Sequence, residues 1–134
     1  DTEGYITHLD SRNITLPEEM IARIGNCYKL QNLNLRHTGF KDSQFDHLVN
    51  LKEIVNLDLS DNPISGEAIN KLGGMTKLLN LNLAATSISD ANAKQFEVIA
   101  HLKNIRSINI SRTKLSTASY EKITRLFRQA DVKF

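Results

Sequence analysis

Residues 30–40, Leu-Gln-Asn-Leu-Asn-Leu-Arg-His-Thr-Gly-Phe, contain a spacing of apolar residues that recurs along the chain. Apolar side chains occupy the first, fourth, sixth and eleventh places, and Thr or Asn occupies the ninth. The same arrangement begins again at residues 54, 78 and 105, and a weaker copy begins at residue 6. A period of roughly 20 to 50 residues is typical of stacked repeats, in which no unit buries its apolar face alone. The sequence therefore predicts an array of about five similar units.

Each unit changes its apolar period once. The first half alternates apolar and polar residues, as in Leu33-Asn-Leu35, which predicts a short strand with one buried face. The second half places apolar residues three apart, as at Phe45 and Leu48, which predicts a helical or near-helical segment. Pro17 suits a first helical turn, and polar residues ahead of the other stripes are candidate N-caps. These caps are expected at Ser65, at Ser89 or Asp90, and at Ser116 or Thr117.

Four copies in one register resemble the leucine-rich-repeat proteins, and the resemblance covers residues 6–126. It implies an α/β fold: a short, curved, right-handed leucine-rich-repeat solenoid with a parallel β-sheet on its concave face. We expect residues 1–134 to form one such domain, with repeats starting near residues 6, 30, 54, 78 and 105 and with the first repeat and the last helix as caps. One column, which the family usually fills with Asn, departs from the pattern: most copies have Thr there, and the first copy has Ile14. A Thr hydroxyl can still hydrogen-bond the backbone of the turn, whereas Ile14 cannot. That column holds Thr38, Asn62, Thr86 and Thr113.

Composition agrees with one ordinary globular unit, since 40% of the 134 residues are hydrophobic and 24% are charged. No apolar run approaches the length of a membrane span, and no signal peptide is visible, so neither is expected. The single cysteine, Cys27, lies in a core column and cannot form an internal disulfide. This weakly favours an intracellular, cytoplasmic compartment.

The sequence offers little support for catalysis. Metalloprotease, phosphate-loop and nucleophile-elbow motifs are all missing, so no catalytic residue, cofactor or metal site is expected. His37 is placed to lie beside Asp61 of the next strand, a contact that a catalytic interpretation would require. No nucleophile completes it, because Cys27 points to the core and Ser60 belongs to the ordinary polar column.

Candidate partner-binding residues lie in the polar columns that flank the buried Leu positions. The Asn columns follow from the repeat pattern itself, and that explanation is preferred for them. Arg12 and Arg36 fall in one column, where neighbouring parallel strands about 4.8 Å apart would stack two like charges. Two explanations stay open: neutralisation by nearby aspartates, or an acidic group of a partner between the guanidinium groups. The candidate residues are Arg12, Arg36, His37, Asp58, Asp61, Asn34, Asn82 and Arg112.

Charge is distributed unevenly along the chain. Residues 1–100 contain nine Lys or Arg and thirteen Asp or Glu, whereas residues 101–134 contain eight and two. A basic end of this kind can attract anions, but a solvated C-terminal cap is the preferred interpretation. Nucleic-acid binding is not expected, because stacking aromatics and a recognised module are missing.

These observations favour a non-catalytic protein-protein interaction module or scaffold that uses its concave face. The alternative is a substrate-binding or regulatory part of a larger enzyme, such as a ubiquitin ligase or phosphatase complex, or a bacterial or parasite effector acting on a host protein. The expected partner is a protein, and an acidic group on it is one candidate contact. An exposed strand edge at either end of the array would allow weak dimers, so the chain is expected to be a monomer or a weak dimer.

Overall fold

Six parallel strands form one open sheet in a computed structural model that describes residues 3–134. The spatial order of the strands follows their order in the chain. Leu33 lies beside Leu57, Leu57 beside Leu81, and Leu81 beside Ile108, so each repeat is in register with the next. The strands are β1 (His8–Asp10), β2 (Asn32–Asn34), β3 (Asn56–Asp58), β4 (Asn80–Asn82), β5 (Ser107–Asn109) and β6 (Asp131–Lys133).

Helical segments return the chain from each strand to the next. The four α-helices are α1 (Glu18–Gly25), α2 (Gly66–Lys71), α3 (Phe96–Ile99) and α4 (Thr117–Leu126). Residues Asp42–Leu48, Leu72–Gly74 and Asp90–Gln95 form 3₁₀ turns, a tight geometry that suits short connections. Ser65, Ser89 and Ser116 occupy N-cap positions as expected, whereas Pro17 is itself the N-cap of α1.

The core fills the space between the sheet and the helical layer. The central strand residues Leu33, Leu57 and Leu81 are each 2% exposed. Cys27 is half-buried and packs against this core, as its column predicts. Each column therefore continues from one repeat into the next, and burial of apolar area between neighbours stabilises the stack.

The buried turn column explains why both Asn and Thr are accepted there. The Asn62 side chain is 3% exposed and donates to the carbonyl oxygens of Leu35 and Leu59 at 2.7 and 3.0 Å. Its oxygen accepts from the backbone N–H groups of Thr38 and Phe40. The Thr38 hydroxyl instead donates to Leu35 at 2.8 Å. Ile14, which lacks this chemistry, is 58% exposed, in agreement with an altered first repeat.

Acidic residues at the start of two outer segments bond the following repeat. Asp42 accepts from the backbone N–H and the hydroxyl of Ser65, at 3.0 and 2.7 Å. Asp90 accepts from the Ser116 N–H at 2.7 Å, and this hydrogen bond lowers the pKa of the Asp90 carboxyl below its usual value. These bonds join the outer helical segments of neighbouring repeats. They are directional, whereas the burial of apolar side chains is not.

The strand β6 follows the last helix and extends the sheet by one strand beyond the five expected from the sequence. Val132 pairs with Ile108, which lies 24 residues earlier, so β6 continues the repeat period. The last helix is therefore followed by a strand and does not itself end the sheet. None of the helices in residues 3–134 is long and apolar enough to cross a membrane.

Candidate functional site

The outer face of the sheet forms a groove of about 670 Å³ that receives side chains from all six strands. We call this surface the concave face. Its two main columns alternate with the buried leucines, because successive side chains of a strand point to opposite sides. The first column holds His8, Asn32, Asn56, Asn80 and Ser107, and the second holds Asp10, Asn34, Asp58, Asn82 and Asn109.

The second column shapes the turn that follows each strand. Each Asn or Asp side-chain oxygen accepts from the backbone N–H two residues later. The Arg36 N–H donates to Asn34 at 3.0 Å, and the Ala84 N–H donates to Asn82 at 3.1 Å. Asp58 accepts from both the N–H and the hydroxyl of Ser60. This local bond is the Asx turn that short polar side chains favour. Asn34, Asp58 and Asn82 therefore have a structural role, whatever else they bind.

The first column is a ladder of amides across neighbouring strands. Asn56 donates from its amide nitrogen to the side-chain oxygen of Asn32, and Asn80 donates in the same way to Asn56. A ladder of this kind pairs the polar groups of the face internally and aligns them in one direction. The unpaired ends of the amides remain on the groove surface, where Asn80 is exposed.

A third column has left-handed backbone geometry in every repeat. Asn13, His37, Asp61, Ala85 and Arg112 have φ between 52° and 61°. Left-handed geometry is uncommon outside glycine, and Asn, Asp and His tolerate it best. The N–H groups of the first four bond carbonyl oxygens of the next repeat, as in His37 to Ser60 at 3.1 Å and Asp61 to Ala84 at 2.9 Å. The turns thus join adjacent repeats at the rim of the concave face.

Both arginines of the expected column are paired within the chain. The Nε of Arg12 lies 3.1 Å from an Asp10 oxygen, and the Nε of Arg36 lies 2.8 Å from an Asp61 oxygen. The two guanidinium groups are half exposed or more. Internal neutralisation therefore accounts for the two positive charges, and an acidic contact with a partner stays a separate prediction.

A second arginine approaches Asp61 from the other side. A terminal nitrogen of Arg112 lies 3.9 Å from Asp61, whose side chain is 23% exposed. Arg112 belongs to the repeat after next, and the intervening rim residues are the small Ala84 and Ala85. These alanines leave room for the long side chain to reach across. Arg36, Asp61 and Arg112 form what we call the rim cluster, with one more positive than negative charge.

The expected contact between His37 and Asp61 does not form a hydrogen bond in residues 3–134. Asp61 is held by Arg36 and Arg112 instead, and no nucleophile accompanies it. In the same range, no group of three or more His, Cys, Asp or Glu side chains converges as a metal site would require. The described face thus holds hydrogen-bonding and charged groups.

The groove also contains Lys133, which the sequence analysis placed only in the basic end. It pairs with Asn109, 24 residues earlier, so the repeat period was the signal that could have located it. Other basic residues of that end bond backbone carbonyls: Lys103 reaches Ala100 at 3.0 Å, and Arg106 reaches Lys103 at 2.9 Å. These contacts agree with a solvated cap.

Residues 53–75, which include the third strand and the buried Asn62, match the family model described as Leucine Rich Repeat. The chain folds as a leucine-rich-repeat solenoid. Its parallel strands, its outer helical segments and its buried turn column all follow from that repeat. No curated protein matches the sequence significantly.

Solved leucine-rich-repeat structures share this fold. An internalin C2 from Listeria monocytogenes superposes with a TM-score of 0.57 and 20% identity, over 84% of this chain and 54% of that one. The protein LIC12759 from Leptospira interrogans gives a TM-score of 0.63 and 19% identity, over 95% of this chain and 36% of that one. The leiomodin-1 actin-binding site 2 gives 0.62 and 17% identity, over 92% and 79%. The chain thus spans about half or less of the length of the two bacterial structures.

Proposed function

We propose that this leucine-rich-repeat solenoid is a non-catalytic protein-interaction module that binds a protein partner on its concave face. The observation that carries the proposal is the groove of about 670 Å³, which runs across all six strands and is lined mainly by amide and carboxylate side chains. Such a surface offers many hydrogen-bonding groups in a regular array. A rigid scaffold with a polar, recessed face is suited to recognition rather than bond cleavage.

The rim cluster suggests the chemistry of one contact. Asp61 receives a short bond from Arg36, whereas its 3.9 Å separation from Arg112 is long for a hydrogen bond. The Arg112 side chain is 68% exposed and has nitrogen donors to spare. A carboxylate of the partner that reached the rim would meet Arg112 directly, so an acidic contact is expected there. Arginine suits this role because its planar fork can hold both carboxylate oxygens.

Protein is favoured over nucleic acid as the partner. No Phe, Tyr or Trp is among the groove-lining residues of the described chain, so bases would find no stacking surface. The carboxylates of Asp10 and Asp58 also line the groove and would repel phosphates. A structure of a Toll-like receptor 13 complex with single-stranded RNA shares the fold at 14% identity and a TM-score of 0.53, over 96% of this chain and 18% of that one. Likeness at this level carries the fold and not the ligand, and we expect no RNA binding by the present chain even at low salt.

The test is a comparison of two charge-reversal variants in partner capture from an extract of the source cells. The first combines Arg36→Glu with Arg112→Glu, the two arginines of the rim cluster. The matched control combines Arg23→Glu with Arg125→Glu, two exposed arginines that pair with glutamates on α1 and α4. Both variants change the net charge equally, so non-specific electrostatic effects are the same.

The proposal predicts a protein retained by the wild type and by the helix control but lost from the rim-cluster variant. Circular dichroism and thermal melting establish that both variants remain folded. Equal retention of every partner by all three proteins would contradict use of the concave face at the rim cluster. Loss from the helix control alone would place the binding surface on the outer helices.

A further inference from the structure

The two edge strands of the sheet differ in whether side chains cover their outward-facing backbone groups. At the C-terminal end, the hydroxyl of Tyr120 donates to the carbonyl oxygen of Val132 at 3.2 Å. The Tyr120 ring also stacks on Phe134, with ring centroids 4.8 Å apart. Val132 is the residue of β6 whose backbone faces away from β5, because Asp131 and Lys133 bond inward. An edge covered in this way offers less to a further strand.

The N-terminal edge has no such cover among the described residues. The carbonyl of Thr7 accepts from Asn32, and the N–H of Ser11 donates to Asn34, so odd-numbered residues of this segment face β2. Backbone groups alternate sides along a strand. His8 and Asp10 therefore direct their N–H and C=O groups outward, and no backbone hydrogen bond in residues 3–134 involves them on that side.

Apolar side chains are concentrated at the same end. Among the described residues, five of the seven large hydrophobic side chains classed as exposed lie between residues 5 and 28. They are Tyr5, Ile6, Ile14, Met20 and Tyr28. Apolar groups gathered beside an open strand edge are typical of an interaction surface.

We propose that this edge pairs with the same edge of a second copy, so that two β1 strands run antiparallel about a two-fold axis at Leu9. In this register, His8 of each copy forms a hydrogen-bonded pair with Asp10 of the other, which creates four backbone hydrogen bonds. The outward direction of those two residues is the geometry that such pairs require. Leu9, only partly buried at the edge, meets its counterpart from the second copy on the core side.

Hydrogen-bond complementarity selects a second copy in this orientation, because an imidazole N–H can donate to a carboxylate. The imidazole of His8 lies opposite a carboxylate of the second copy's Asp10, and the pair occurs twice by symmetry. Cross-strand pairs of this type stabilise antiparallel sheets. Because His8 and Asp10 both project on the concave face, the dimer carries the two concave faces on the same side of one continuous sheet. The symmetric contact closes on itself, whereas a head-to-tail contact would need the β6 edge that Tyr120 covers.

The first test is sedimentation of the wild type and two variants between about 10 μM and 1 mM, a range that detects weak association. His8→Pro removes the outward N–H, and proline is tolerated at an edge whose N–H faces solvent. His8→Ala keeps the N–H and loses only the imidazole. We expect dimers for the wild type, weaker dimers for His8→Ala and monomers for His8→Pro, with all three folded by circular dichroism. A monomeric wild type, or equal dimerisation of the two variants, would overturn the proposal.

The second test reports the symmetry. In a Cys27→Ser background, Leu9→Cys brings two introduced thiols together, since the Cα atoms of such a pair lie about 4.5 Å apart, within disulfide range. Val98→Cys, at an exposed position on α3, measures random collisions. We expect oxidation to link Leu9→Cys roughly tenfold faster or more, because the thiols are held together. Equal rates, or chains longer than dimers, would contradict the two-fold arrangement. This inference does not depend on the concave-face proposal, which survives if the chain is monomeric.

Discussion

Asn62 shows at the residue scale how one side chain can hold two repeats. It accepts two backbone N–H groups of the preceding turn and donates to carbonyls of both repeats. Thr86, in the equivalent column, bonds only the Leu83 carbonyl at 2.8 Å. The difference is that the Asn62 amide donates from its nitrogen and accepts at its oxygen, whereas the Thr86 hydroxyl donates one hydrogen bond.

We therefore predict that Asn62→Ala lowers the free energy of unfolding far more than Thr86→Ala. Leaving several buried backbone groups without partners costs about 2 to 4 kcal/mol, against about 1 kcal/mol for one lost hydrogen bond. Urea unfolding of both variants measures the difference. Equal losses would mean that the Asn62 bonds are replaced by water or by relaxation of the turn.

Ala85 gives a second prediction at this scale, because it holds a left-handed φ of 54° without a side chain that favours it. Ala85→Gly removes that steric strain, and we expect a gain of roughly 0.5 to 1 kcal/mol after the entropy cost of glycine. The control is Ala84→Gly at the neighbouring buried residue, whose φ is not positive. That variant should be destabilised. Thermal melting of the two variants measures the difference, and a lower stability for both would contradict the strain argument.

At the scale of the element, the close approach of α1 to the next repeat depends on the absence of a side chain. A Cβ added at Gly25 would lie 2.0 Å from the backbone carbonyl oxygen of His47. A Cβ at Gly73 would meet only the His101 ring at 3.5 Å, an ordinary contact. Backbone cannot move aside as the end of a flexible side chain can.

Gly25→Ala should consequently reduce stability by about 1 to 3 kcal/mol, as overpacking does, whereas Gly73→Ala should change it by less than about 0.5 kcal/mol. Chemical unfolding of the two variants gives the comparison. If Gly25→Ala were as stable as Gly73→Ala, the packing of α1 against the 3₁₀ turn at Asp42–Leu48 would be looser than described.

The bond between Asp90 and the start of α4 makes this element sensitive to acid. The Ser116 N–H is the main cause of the lowered Asp90 pKa, so the folded value lies below the ordinary 3.8. A depressed pKa contributes stability above the unfolded value, and that contribution disappears as pH falls through the folded value. Asp90→Asn should be less stable than the wild type near neutral pH, with the difference shrinking below about pH 4.

Melting temperatures between about pH 2 and pH 7 test this prediction, in a range where carboxylates titrate. Glu67→Gln serves as the control, since Glu67 is exposed and makes no hydrogen bond or ion pair with a described residue. Its stability should follow the wild type at every pH. A constant difference between Asp90→Asn and the wild type across the range would show that ionisation of Asp90 does not contribute.

At the scale of the whole molecule, stability comes from burial between neighbouring repeats. Leu57→Ala and Leu81→Ala remove fully buried side chains and should each cost about 2 to 5 kcal/mol. Asn80→Ala, on the exposed face beside Leu81, should cost much less. Thermal unfolding followed by circular dichroism provides the measurement, and equal melting shifts for Leu81→Ala and Asn80→Ala would contradict the register. The whole melting transition should move to lower temperature, because each repeat stabilises its neighbours.

The pattern of apolar and polar residues alone predicts the repeat period, the buried columns and the parallel order of the first five strands. These properties are local or periodic: an apolar residue in a repeated place meets its counterpart in the next unit. The second polar column also has a structural reason to recur, because its side chains form Asx turns. Even β6 carried the period at Val132, although too few matching residues follow α4 to predict a strand.

The residue pattern does not predict which charged groups meet or how the two edges of the sheet are covered, because both depend on packing in three dimensions. Arg112 reaches Asp61 because two alanines of the intervening repeat are small, and Tyr120 of α4 covers the edge at Val132 by donating its hydroxyl to the Val132 carbonyl oxygen. Such contacts depend on distances between side chains far apart in the chain, and the repeat pattern is silent about them. We therefore expect partner specificity to reside where individual side chains depart from the repeat.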